Sequence, residues 1–187
     1  MHAVAYRIAI VGTAGCGKTT LAQQVAATLQ IPHIELDALF WQPNWQEADT
    51  WEFYQRVETA TRPYAWVIDG NYLRVRPLIW QRATMVIWLN YALPLIIWRV
   101  TQRTISRSLT QQELWNGCYE TLQKGFFSHD SIILWAFQSY FRHARTFPIW
   151  FAKPPYQHLD IVELKFPLEA DMWLSSLATS PAPIEEA

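Results

Sequence analysis

The sequence predicts an α/β protein, a parallel β-sheet covered by helices on both faces. Three observations carry that expectation. Four short runs, YRIAIV (6–11), HIELD (33–37), AWVID (65–69) and MVIWLN (85–90), read as strands. Segments with helical patterning separate them. The first run also ends in a glycine loop that leads directly into a helical pattern, and apolar strands alternating with helices pair in parallel with cover on both sides.

Taken in order, YRIAIV is rich in β-branched residues and is ended by Gly12. After it, Leu21, Val25 and Leu29 recur at helical spacing until Ile31 and Pro32 stop the helix. HIELD is the second strand. Asn44 and Glu47 have the capping-box pattern and predict a helix through about Thr61. AWVID and MVIWLN are two apolar strands, each ending in a polar residue. Pro94 is well placed near a helix start, and that helix is expected to reach about Ser108. Thr110 and Glu113 form a second capping-box pattern. SIILWAFQSYFRHAR (131–145) predicts a helix that is apolar almost all round and so must pack against something. TFPIWFAKPPY reads as a proline-punctuated loop, HLDIVEL as a last strand, LEADMWLSSLA as a last helix and TSPAPIEEA as a frayed tail. No repeat, linker or low-complexity block divides the 187 residues, so one domain, 1–187, is expected.

Composition narrows the function classes. The formal net charge is −1 and the basic residues are dispersed, which speaks against direct nucleic-acid binding. Hydrophobic residues make up 51% and charged residues 17%, so a rather apolar surface is expected. Cys16 and Cys118 stand alone, without a CxxC or a Cys/His cluster, which indicates neither a disulfide framework nor a zinc site. That usage and the absence of signal-peptide features in MHAVAYRIAIVG predict a cytoplasmic protein. The most apolar stretch, 85–98, is shorter than the roughly 20 residues of a spanning helix and contains Asn90 and Pro94, so no membrane span is expected.

Gly12-x4-Gly17-Lys18-Thr19 has the Walker A spacing. Glycines there let backbone N–H groups converge on phosphate oxygens, Lys18 reaches the β- and γ-phosphates, and Thr19 ligates Mg²⁺. The candidate cradle is Gly12, Thr13, Ala14, Gly15, Cys16, Gly17, Lys18, Thr19 and Thr20. Cys16 needs only to be small, since nothing nearby in sequence makes it reactive.

A triphosphate site must also manage its metal, which directs attention to carboxylates at the carboxyl ends of neighbouring strands. AWVID has the form of a Walker B strand, making Asp69 a candidate for holding Mg²⁺ directly or through water. Asp37 ends the preceding strand and is a candidate to bind or deprotonate an acceptor hydroxyl. The plain alternatives are a turn at Asp69-Gly70 and a helix cap at Asp37. Arg99, Arg103 and Arg107 lie four apart, so one helix face presents all three guanidiniums along a stripe suited to phosphate oxygens. Against that stands an ordinary solvated face favoured by the helix dipole, which is also the reading for Arg142 and Arg145. Trp41 and Trp45 follow Asp37 and are placed to wall a pocket for a flat or apolar acceptor. The histidines have no partner spacing that suggests a metal or a triad, and structural roles are expected of them.

With GTAGCGKTTLA, LDALFWQPNW, WVIDGNY, RVTQRTISR, ELWNG and SIILW in this order, residues 6–175 resemble the P-loop kinases related to adenylate kinase. The resemblance is narrowest to a bacterial group variously labelled adenylate-kinase-like, AAA-family ATPase or DNA-topology-modulation protein. It implies a P-loop NTPase fold, three α/β/α layers around a five-stranded parallel sheet, with a helical lid insertion at about 99–150. It implies ATP with Mg²⁺ on the loop, Asp37, Asp69 and Asn71 on the acceptor side, and Arg103 and Arg107 in the lid. Two positions depart from the pattern. Asn90 follows Leu89 where the family commonly has aspartate, and Gly117-Cys118-Tyr119-Glu120 stands where it reads Gly-Asn-Arg-Glu.

The leading expectation is an ATP-dependent kinase that transfers the γ-phosphoryl group to a nucleotide, nucleoside or other small acceptor. Lys18, Asp37, Asp69, Arg103 and Arg107 would be catalytic, Asp37, Trp41, Asn71 and Arg99 substrate-binding, and Thr19 and Asp69 the metal ligands. The rival from another class is a nucleotide-binding regulatory switch acting on a partner protein or DNA without phosphorylating a small molecule, with residues 131–151 as a docking surface. The acceptor's identity, the preferred base and the oligomeric state have no signature in the sequence.

Overall fold

The computed structural model describes residues 6–110, 114–117 and 132–178. Its centre is a five-stranded sheet of β1 (Arg7–Gly12), β2 (His33–Glu35), β5 (Trp66–Asp69), β6 (Met85–Leu89) and β7 (Asp160–Leu164), in the order β2-β5-β1-β6-β7. Every pairing is parallel, as apolar strands buried on both faces require. The alternation of side chains across the sheet divides the core in two. Ile8, Ile10, Val67 and Ile87 face α1 (Lys18–Leu29), the start of α5 (Leu93–Thr110) and α7 (Pro167–Ala178), through Val25, Ile96 and Leu177. Ala9, Val11, Ile68, Val86 and Trp88 face the other layer, formed by α2 (Leu36–Phe40), α3 (Thr50–Ala60), α4 (Arg76–Arg82) and α6 (Ile132–Phe151), through Phe40, Phe53, Trp80 and Phe147. The expected α/β/α layering and five parallel strands are present.

Several local expectations are corrected. Strand β2 stops at Glu35, and Asp37 sits in the short helix α2 rather than at a strand end. Asn44 and Glu47 cap nothing. Asn44 and Trp45 take left-handed backbone (φ 62° and 61°) at the tip of a hairpin between β3 (Trp41–Gln42) and β4 (Gln46–Glu47). Asparagine tolerates that conformation well, which favours a turn over a helix start. The cap of α3 is Asp49, whose Oδ1 accepts from the amides of Trp51 (2.8 Å) and Glu52 (3.3 Å). The seven-residue helix α4 was not anticipated.

The expected loop from Thr146 is instead the last part of α6, which carries Pro148 within it. Tertiary packing overrides the proline penalty here, because Phe147 is fully buried and meets Trp88 at 5.6 Å and Phe151 at 5.8 Å. Arg142 and Arg145 therefore lie within the helix, not at its end, and Arg142 sits 4.8 Å over the Trp135 ring. The proposed lid region begins midway along α5. Its described parts include the rest of α5 and all of α6, and these two helices pack on one another. Glu113, Cys118, Tyr119 and His129 lie outside the described residues. Among the described residues no helix is long and apolar enough to cross a membrane.

Candidate active site

The loop between β1 and α1 is held open by its glycines. Gly12 has φ +148°, and a Cβ there would come within 2.6 Å of the Leu89 carbonyl oxygen and 2.8 Å of Cys16 Sγ. Gly15 has φ +82°, and a Cβ would meet Val100 Cγ2 at 2.2 Å. The loop thus rests on the end of β6 below and on α5 at its side, a cradle that only bare backbone can line. Lys18 Nζ donates to the carbonyls of Gly12 (3.0 Å) and Thr13 (3.2 Å), so its ammonium lies across the loop. Cys16 is fully buried, and burial pushes its thiol pKa up, which leaves it inert as expected.

Arg99 Nη1 donates to the Cys16 carbonyl at 3.2 Å, and its guanidinium lies 5.5 Å over the Tyr91 ring. The residue expected on the substrate side therefore braces the phosphate loop. Asn71 likewise grips the loop, donating to the Gly12 carbonyl while its Oδ1 accepts from the Gly12 amide at 3.3 Å. Its side-chain amide extends the sheet pattern by one rung.

Asp69 ends β5 opposite Ile10 and is 3% exposed. Its Oδ2 accepts from Thr19 Oγ1 at 2.7 Å, while Oδ1 meets His33 Nε2 at 2.8 Å. A hydroxyl and a buried carboxylate side by side at the foot of a phosphate loop are the hard oxygen donors that Mg²⁺ takes alongside phosphates and water. Among the described residues no group of three or more His, Cys, Asp or Glu side chains is arranged to hold a metal. These residues fit the implied cofactor pair.

On the far side of Lys18, the Tyr72 hydroxyl donates to Asp37 Oδ1 and receives a hydrogen bond from the Trp41 side chain. Burial raises the Asp37 pKa. The Tyr72 hydrogen bond and the charges of Lys18 and Arg103 oppose the rise, and Asp69 adds to it. Glu35, in register with Asp69, is also raised by burial and by the charges of Asp69 and Asp37, against a hydrogen bond from Trp115. Asn116 Nδ2 donates to the Trp41 carbonyl at 2.6 Å and the Ala38 carbonyl at 3.3 Å, tying residues 114–117 to this side. Trp41 and Trp45 pack edge to face at 5.3 Å, and Trp45 meets Trp115 at 6.2 Å. Arg107 lies one helical turn beyond Arg103, half-buried in the last turn of α5.

Sequence reasoning brought together Lys18, Thr19, Asp37 and Asp69 but passed over His33, Glu35, Tyr72 and Trp115. Tyr72 belongs to the quoted WVIDGNY run, so its signal was present. His33 and Glu35 lie on the strand beside Asp69, and that adjacency exists only once strand order is known.

The model of the AAA family, ATPases associated with various cellular activities, matches residues 8–66, the stretch from β1 to the start of β5. No curated protein matches the chain. Among solved structures, a shikimate kinase from Bacteroides thetaiotaomicron is similar at 17% identity and a TM-score of 0.53, over 93% of this chain and 97% of that one. A gluconokinase from Sinorhizobium meliloti 1021 is similar at 16% identity and a TM-score of 0.50, over 95% of this chain and 96% of that one. The glycine cradle, the parallel sheet order and these likenesses together show that the chain has the P-loop NTPase fold.

Proposed function

We propose that this protein is an ATP-dependent kinase that phosphorylates a hydroxyl of a small-molecule acceptor. The observation that carries the reading is the placement of Asp37, half-buried, hydrogen-bonded to Tyr72 and within electrostatic reach of Lys18 and Arg103, in a site whose Thr19 and Asp69 are already joined. The fold shared with a shikimate kinase and a gluconokinase supports an acceptor of that size.

When bound, ATP supplies the γ-phosphoryl group and Mg²⁺ supplies neutralising charge on the phosphates. The loop amides and Lys18 would orient the phosphate tail, and Thr19 and Asp69 would hold the metal. Asp37, in its ionised form, accepts the proton of the attacking hydroxyl, and Tyr72 keeps that carboxylate turned toward it. Arg103 adds positive charge near the transferred group, with Arg107 one turn further out on the same helix. Trp41 and Trp45 wall the acceptor. Arg99 and Asn71 hold the loop in shape, so their contribution is positional.

The test is a panel of nucleotides, nucleosides, sugar acids, hydroxy acids and polyols incubated with γ-labelled ATP and Mg²⁺. Labelling of one class, abolished by Asp37→Ala and Lys18→Ala, is the expected result. Binding of ATP with no acceptor labelled, and turnover unchanged in Asp37→Ala, would overturn the reading.

A further inference from the structure

Arg76 opens α4 and is 5% exposed, yet its guanidinium makes no hydrogen bond or ion pair among the described residues. It lies instead against aromatic rings, 5.0 Å from Trp80 and 5.3 Å from both Phe147 and Trp150. Burial pulls its pKa down to about 10, with Tyr156 opposing and Arg142 adding to the fall, so it stays charged at neutral pH. Ring faces offset only part of the desolvation of a cation, and buried donors in folded proteins normally have acceptors.

A buried polar atom without a hydrogen-bond partner lies beside it. His143 is 8% exposed, stacks on Phe147 at 4.8 Å and leaves its buried Nδ1 without a hydrogen-bond partner. Burial, then the charges of Lys18, Arg142 and Arg76, hold its pKa down to about 3, so the imidazole is neutral. Lys18, Arg142 and Arg76 act on His143, and Arg142 and the Tyr156 phenol on Arg76; among the described residues no carboxylate is one of these groups.

Arg76 also lines a small cavity of about 10 Å³ that lies between the core side chains Ala9, Val11, Ile68 and Ile79 and the Gly70–Tyr72 loop. A volume of about 10 Å³ accepts roughly one water-sized group, which is the size of one anionic oxygen. The cavity shares the Gly70–Tyr72 loop with the active site, and Tyr72 is the residue that holds Asp37. The Lys18 charge also reaches His143.

We propose that Arg76, backed by His143, receives an anionic oxygen group of the acceptor, a carboxylate or a phosphate, while the hydroxyl to be phosphorylated faces Asp37. The forked guanidinium suits either group, and the ligand's charge would replace the missing counter-ion. Naming the ligand as the acceptor rests on the kinase reading. The anion site itself does not.

Thermal unfolding of wild type, Arg76→Met, Arg76→Lys and Lys18→Ala, in a low-chloride buffer titrated with formate or inorganic phosphate, tests the site. The wild-type midpoint should rise saturably with at least one anion. Arg76→Met should be at least as stable as wild type without anion and gain nothing from it. Arg76→Lys keeps the charge but loses the fork, so its response should be weaker by about tenfold in concentration. This variant also keeps the test decisive should Arg76→Met not fold. Lys18→Ala should keep the formate response, which separates this site from the phosphate loop. A stronger response to formate than to phosphate marks a carboxylate acceptor, and the reverse a phosphorylated one. No saturable response in wild type, or equal responses in wild type and both Arg76 variants, overturns the proposal. In the acceptor panel Arg76→Lys should raise KM for anionic acceptors selectively. If acceptors are labelled but their KM values do not change in that variant, the anion site falls and the kinase stands. If formate saturates Arg76 but nothing is ever labelled, the kinase reading falls and the anion site stands.

Discussion

The Thr19 hydroxyl donates to Asp69 Oδ2 at 2.7 Å, joining the first turn of α1 to the carboxyl end of β5 directly beneath the phosphate loop. The second oxygen of that carboxylate is oriented by His33 at 2.8 Å. In the kinase reading Thr19 and Asp69 touch the metal, and His33 acts through Asp69 as a positioning residue. Replacing such a partner typically costs about 10- to 100-fold in metal affinity. His33→Ala is therefore expected to raise the Mg²⁺ concentration needed for ATP binding by that factor, while ATP affinity without Mg²⁺ stays near the wild-type value. Calorimetric titration of ATP at several Mg²⁺ concentrations checks it. An equal loss with and without metal would mean that His33 merely supports the fold.

The Tyr72–Asp37 pair should be visible in pH profiles. The Asp37 pKa is raised by burial, and the Tyr72 hydrogen bond works against that rise. Tyr72→Phe removes a bond to the charged form, so the pKa should climb further. The acid limb of kcat/KM is then expected to move to higher pH. An unmoved limb would show that Asp37 is not the group that must be ionised.

The same shift has a consequence for stability. A carboxyl whose folded-state pKa lies above its unfolded value holds protons more tightly when folded, so its favourable contribution is full below the unfolded pKa and is lost as pH rises through the folded one. Asp37→Asn should accordingly raise the thermal midpoint at pH 7.5, with the advantage disappearing below the ordinary carboxylate range. Melting curves of both proteins across pH 3.5–8 decide the sign.

His143 titrates in the opposite sense. Its folded-state pKa, pulled down to about 3 by burial and by Lys18, Arg142 and Arg76, lies below the unfolded value near 6.5. The neutral ring contributes stability that is complete above about pH 6.5 and drains away toward pH 3, at no more than about 1.4 kcal/mol per pH unit. His143→Phe is expected to flatten this part of the stability curve, measured by urea unfolding between pH 4 and 7. Parallel curves for the two proteins would contradict it.

Gly15 tests the support that α5 gives the loop. Gly15→Ala places a methyl group 2.2 Å from Val100 Cγ2 at φ +82°. Left-handed backbone and overpacking together should cost at least about 2–3 kcal/mol, or roughly 5–10 °C in midpoint. Adding Val100→Ala should restore part of that loss, because it relieves the collision and leaves the backbone strain.

Much of this protein was legible in the sequence. The Walker A loop and its flanking strand and helix follow from contiguous residues, as do the apolar strands that demand cover on both faces, because these features depend on spacing along the chain and on local backbone preference. The placements of Lys18, Thr19 and Asp69 follow from the same local patterns. Tertiary structure decided what depends on which strand lies beside which. The order β2-β5-β1-β6-β7 sets His33 and Glu35 next to Asp69, which no spacing along the chain encodes. Packing around Phe147 carried α6 through Pro148, where local preference would have ended it, and the same packing buried Arg76 among rings. Local signals count bonds along one chain segment. The site's second layer arises from burial shared among distant segments, and only the folded core settles that competition.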